Sequence, residues 1–242
     1  MLALWFHGLS LAAVLLGLGC AVILVIDVVR YPQPMGIMNV VWPVTALFGT
    51  VGILWLYFFY SRSAHNEMRH DMHEHGVHGI NRKRFPVIVG EGTLHCGSGC
   101  VIGDIAAECL AFFFPQLAIW FGWHWFFADK MYAVWVFDFV LAFGLGVLFQ
   151  YFAIAPMRKL SLREGLAAAL EADALSLIAW QIGMYGFMAF VQFRVFGHFL
   201  GAPATVDTVE FWFAMQLAMV VGFVASYPVN WWLIRSGIKA EM

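Results

Sequence analysis

Six apolar stretches run along the chain at 4–29, 37–60, 100–120, 131–155, 166–193 and 211–234. Each is near or above the roughly 20 residues that carry a helix across a ~30 Å hydrocarbon core. Most are separated by short polar breaks, and only 61–93 forms a longer polar segment. Pro32 and Pro34 interrupt the chain after the first stretch, and Pro156 falls at the end of the fourth. Ser161-Leu162-Arg163-Glu164 reads as a capping box opening the fifth. The pattern predicts an all-α, polytopic integral membrane protein with six transmembrane helices in a single domain over 1–242. The first stretch has no basic n-region and is longer than a signal h-region, so it is expected to remain as a helix.

Composition agrees with the pattern: 62% of residues are apolar and only 12% charged, which leaves no room for a large soluble domain. A net charge of −2 argues against a nucleic-acid partner. Basic residues set the orientation. Six crossings put Arg62, Arg69, Arg82, Lys83, Arg84, Arg158, Lys159, Arg163, Arg235 and Lys239 on one side, against Arg30, Lys130 and Arg194 on the other. The ten-residue side is expected to be cytoplasmic, with both termini and the 61–93 loop on it.

Candidate chemistry is concentrated at the start of the third stretch. If 94–108 is helical, Cys96, Cys100, Asp104 and Glu108 recur every fourth residue and form one stripe of two thiols and two carboxylates. At 1.5 Å per residue, Asp104 lies about 12 Å and Glu108 about 18 Å beyond Cys96. The carboxylates then fall near mid-membrane, where a charge costs about 2.5–3.5 kcal/mol and is a functional hypothesis by default. Asp138 and Asp173 reach similar depths on the fourth and fifth stretches, with Gln150 and Gln181 as polar neighbours. No Lys or Arg lies well inside a stretch, so a bound cation or retained protons would have to compensate these groups.

The thiols read differently. Cys96 and Cys100, beside His95, are placed at a helix N-terminus on the cytoplasmic side, which favours thiolate and disfavours a disulfide. Thiolate and imidazole suit copper(I) or zinc, whereas the deeper carboxylates suit harder ions. Packing is the competing reading, because Gly99, Gly103 and Ala107 make a small-residue stripe suited to close helix contact. Cys20 and Cys109 are read as packing residues. The 61–93 loop carries His65, Met68, His70, Met72, His73, His75 and His78, a composition suited to loose metal capture or to a solvated loop.

Several blocks carry a family resemblance. They are Met38-Asn39-Val40-Val41-Trp42-Pro43-Val44-Thr45-Ala46, His95 to Cys100 with Gly103-Asp104, and Phe149 to Arg158. Leu162 to Gly165, Ala172 to Ser176 and Ser226 to Ile234 continue the match. In these the chain resembles the bacterial family called domain of unknown function 4396. The resemblance implies a multi-pass protein of the bacterial inner membrane and brings no activity with it.

The residues then suggest a protein that handles or transports a transition metal, copper first and zinc or iron second. His95, Cys96, Cys100 and the loop would capture the ion, and Asp104, Glu108, Asp138 and Asp173 would form a mid-membrane site. A membrane-embedded metal-dependent redox enzyme is the alternative, although paired Glu-x-x-His motifs are missing. A noncatalytic subunit or assembly factor is the third. Expected partners are the lipid bilayer, a metal ion, and a membrane protein or a second copy of the chain.

Overall fold

The computed structural model describes residues 2–62, 84–158, 161–197 and 201–239. Six of its helices are long and apolar enough to cross a membrane. We label the helices α1 (Leu2–Arg30), α2 (Met38–Ser61), α3 (Phe85–Phe113), α4 (Gln116–Trp120, one short turn), α5 (Lys130–Arg158), α6 (Leu162–Phe196) and α7 (Val209–Arg235). Among the described residues there is no strand, only an isolated bridge between Trp123 and Phe127. The capping box is formed as expected: the Glu164 amide donates to Ser161 Oγ, and the Ser161 amide donates to the Glu164 carboxylate. The last turns of α6, Val191–Phe196, widen into a π-helix. Pro156 lies within the final turns of α5 rather than ending it.

Helix α2 departs from the expected straight crossing. Thr50 has φ 45° and ψ −127°, non-helical values that break it into arms at 38–49 and 51–61. The arms fold back on one another. Trp42 and Tyr57 place their ring centroids 5.4 Å apart, although a straight helix would put about 22 Å between those positions. Gln33 closes the open end by contacting both arms: its amide donates to Asn39 Oδ1 at 2.8 Å, and its Oε1 accepts from Ser61 Oγ at 2.9 Å. Arg62 bonds Asp27 of α1 at 2.7 Å, and Tyr57 donates to the other Asp27 oxygen at 2.7 Å. A helical hairpin ends in carbonyls with no helical partner. Gln216 of α7 satisfies one by donating to Leu47 O at 2.6 Å, and Gly17 of α1 gives that carbonyl room. The tip thus lies well inside the bundle, where Phe48 meets Trp180 at 5.8 Å.

This reversal changes the connectivity. His7 near the start of α1 bonds Glu210 at the start of α7 at 2.8 Å, so these two starts share one end of the bundle. The end of α1, both ends of α2 and the end of α7 lie at the other. Among the described residues, five long helices therefore run the length of the bundle, and α2 returns to its own side.

Helix α3 also begins about fifteen residues earlier than the third apolar stretch. Polar and glycine-rich residues at 85–99 hide it from a hydropathy reading. They face protein instead of lipid, and α3 has the largest buried share of the six candidate spans. Phe85 packs on Trp231 and the Pro86 carbonyl accepts from Tyr227. The polar loop accordingly ends by Arg84, not at 93.

Candidate functional site

Packing of α3 against α5 and α6 comes from the small residues in its sequence. A Cβ on Gly99 would come within 2.6 Å of Gly146 Cα, and one on Gly103 would strike Ala142. Gly97 lies against the Trp180 ring, which Gly222 of α7 meets on another side. The small-residue stripe is thus a true packing seam. The ionisable stripe beside it is buried by the same approach of backbones.

Toward the end where α3 finishes, Asp104 and Asp138 face each other, both with no exposed surface. Each lies about 12–13 Å along its helix from that end. Their carboxyls are close neighbours. Two ionised carboxylates have no donor to offer each other, so a hydrogen bond between them requires a proton. Gln181 Nε2 donates to Asp104 Oδ1 at 3.0 Å. The Tyr185 hydroxyl donates to Trp135 O at 3.2 Å and stands beside Asp138. Asp104 Oδ2, both Asp138 oxygens and Gln181 Oε1 have no other well-formed partner among the described residues. Glu108 lies one turn further out, 7% exposed, on the wall of a half-open cavity of about 520 Å³. Asp129, Lys130, Gln192, Thr205 and Asp207 supply the cavity's other polar side chains, and Trp135, Met188 and Phe211 part of its apolar lining.

Asp173 does not join this group, which corrects the expected convergence of four carboxylates. It lies about 17 Å from the start of α6 and pairs with Lys239 at 2.5 Å, both side chains fully buried. The expectation that no base compensates the buried carboxylates fails here. Lys239 follows α7 and folds back into the bundle, where its Nζ also donates to Asn230 Oδ1 at 2.7 Å and to Gly92 O at 3.3 Å. Burial alone would pull its ammonium down, and Asp173 more than offsets that, holding it above the ordinary lysine range. Asn230 donates in turn to Ser176, which bonds Ser226 at 2.8 Å. Cys96 approaches Ser176 Oγ at 3.3 Å.

Cys96 therefore sits about 17 Å inside α3 from Phe85, not at a helix N-terminus, and both Cys96 and Cys100 are shut off from either aqueous end. The dipole reason for thiolate disappears with that placement. His95 turns toward α5, its ring 6.5 Å from Phe149, while Cys96 faces α6 and α7. The Phe149 backbone approaches the imidazole but completes no well-formed bond to either nitrogen. Among the described residues, no three of His, Cys, Asp and Glu are grouped to hold a metal ion. His65, Met68, His70, Met72, His73, His75 and His78 lie outside the described residues. Gln181 meets Asp104 as expected. Gln150 lies about 18 Å along α5 from Asp138, away from the pair.

The residues that sequence reasoning missed are Lys239, Asn230, Ser176, Ser226 and Tyr185. Ser176 and Asn230 recur in the quoted blocks as polar residues inside apolar spans, a usable signal. Lys239 gave none, because it follows the last span.

A family model covers residues 88–239. The chain belongs to the family described as Domain of unknown function (DUF4396). The match takes in α3 and every later helix, both buried clusters and Lys239. It leaves out α1, the hairpin and the Met38–Ala46 block. No curated protein and no solved structure matches the chain.

Proposed function

We propose that this protein is a proton-coupled carrier of a cation in the bacterial inner membrane, with the Asp104–Asp138 pair as its protonation site. The contact between two fully buried carboxyls carries this reading. A pair holding one proton is a complete proton site, and releasing that proton opens four carboxylate oxygens to a cation. Glu108 lies between the pair and the 520 Å³ cavity, which opens toward the end where α3 finishes. Trp180, wedged between Gly97 and Gly222, lies along α6 between this pair and Asp173 and separates the two ends. One open side and one closed side is the arrangement that alternating access requires.

The cargo we propose is a transition-metal cation. Carboxylates, Gln181 Oε1 and the Tyr185 hydroxyl are oxygen donors, so zinc or iron now precedes copper. Glu108 would complete the set as proton and cation exchange. The cavity end is assigned to the periplasm. Among the described residues, Arg30, Arg62, Arg84, Arg158, Arg163, Arg235 and Lys239 belong to the opposite end, and Lys130 and Arg194 to the cavity end. The hairpin thus gives seven basic residues against two, with the chain starting outside and α7 ending inside.

Proteoliposomes holding a trapped pH dye test the reading. An inward zinc gradient should drive metal-dependent proton efflux with the native chain. Asp104→Asn or Asp138→Asn should lower it at least tenfold. Zinc uptake with no proton movement, or flux unchanged in both variants, would overturn it.

A further inference from the structure

The Lys239 pocket has the donors of a cation site. Asp173 Oδ1, Asn230 Oδ1 and Gly92 O surround one ammonium at 2.5–3.3 Å, all inside the protein. One carboxylate with two neutral oxygens balances a single positive charge. Asp173 Oδ2 is buried and carries no hydrogen bond among the described residues, so a second carboxylate oxygen is held in reserve. Three neutral polar side chains, Asn230, Ser176 and Ser226, brace the pocket through bonds to one another. Such a set suits a hard, oxygen-seeking ion.

Lys239 arrives on a short strap rather than on a helix. Gly237 takes φ +76°, a left-handed reversal that suits glycine, and the Ile238 and Lys239 amides both return to Leu233 O at 3.1 Å. The strap can detach without breaking a helix. A buried ion pair is also poor value as a fastening, since an apolar residue of similar size usually stabilises as well or better. The ammonium keeps its charge, so a cation that takes its place leaves the pocket neutral.

We propose that the Asp173–Asn230–Gly92 pocket is a binding site for a small monovalent cation, of the sodium or potassium class, and that Lys239 is its tethered occupant. An incoming ion displaces the ammonium and frees the C-terminal strap at the inner end. This site is separate from the Asp104–Asp138 pair and does not need the transport reading.

Amine labelling of the purified native chain tests it directly. Lys239 acetylation, followed by mass spectrometry in sodium, potassium or choline chloride at equal ionic strength, should rise several-fold with one alkali cation over choline. Rates equal in all three salts would overturn the proposal. Thermal unfolding of two variants gives a second readout. Lys239→Ala should unfold at a higher midpoint in the alkali salt than in choline, as mass action requires. Lys239→Met, which fills the pocket with an apolar chain, should show no salt preference. Identical behaviour of the two variants would make Lys239 a plain anchor. Neither readout involves flux, so a failure here and a failure of the carrier reading stay distinct.

Discussion

Asp104, Asp138 and Asp173 are equally buried, yet they are accommodated by opposite means. Asp173 is paired with a cation of the chain itself, Lys239. Asp104 and Asp138 bond no lysine or arginine among the described residues, and in the reading proposed above they share a proton. The difference has a measurable consequence. Asp173→Asn strands a buried ammonium, which costs about 3–5 kcal/mol and should lower the unfolding midpoint by roughly 10 °C for a chain of this size. Asp104→Asn exchanges a shared proton for an amide donor facing Asp138, and its midpoint should stay within about 3 °C of native. Thermal unfolding of the two purified variants checks the contrast, and equal losses would contradict it. The sequence exposed the aspartates through their depth in apolar stretches. Their sorting into two sites was hidden, because it depends on a lysine 66 residues beyond Asp173.

Among the elements, α2 shows where hydropathy reaches its limit. Two arms of about a dozen residues carry the same apolar content as one straight span. Only the backbone at Thr50 tells them apart, and a threonine at positive φ is an uncommon choice that no propensity anticipates. A hairpin buried within the membrane is tolerated only where protein satisfies its backbone, which Gln216 does at Leu47 O. Helix α3 fails a hydropathy reading for the opposite reason: its first half is polar because it faces protein. The other four long helices were legible to within a few residues, since each keeps a lipid-facing side. The hairpin fixes which loops share a face. Single cysteines at Gly36 and Gly237, in a chain with its native cysteines replaced, should react with a membrane-impermeant thiol reagent from the cytoplasmic side only. One at Trp5 should react from the periplasmic side only. Gly36 labelled from outside would mean that α2 crosses.

Taken whole, the molecule holds two polar clusters at different depths in one apolar bundle. A cavity leads to one, a lysine strap closes the other, and Trp180 lies between them along α6. The stripe on α3 passes both. Cys96 touches the Lys239 cluster, Asp104 and Glu108 belong to the one on the cavity side, and Cys100 lies between. A path along this helix was legible in the sequence as a four-residue repeat. Its direction was not: placing the thiols at the mouth required α3 to begin near residue 100, and it begins at Phe85. The shared proton is the central claim, and infrared spectroscopy of the purified protein at neutral pH observes it most directly. A protonated-carboxyl band should be present in the native chain, disappear in Asp138→Asn, and weaken when zinc is added. A native spectrum with only ionised carboxylates would contradict the account.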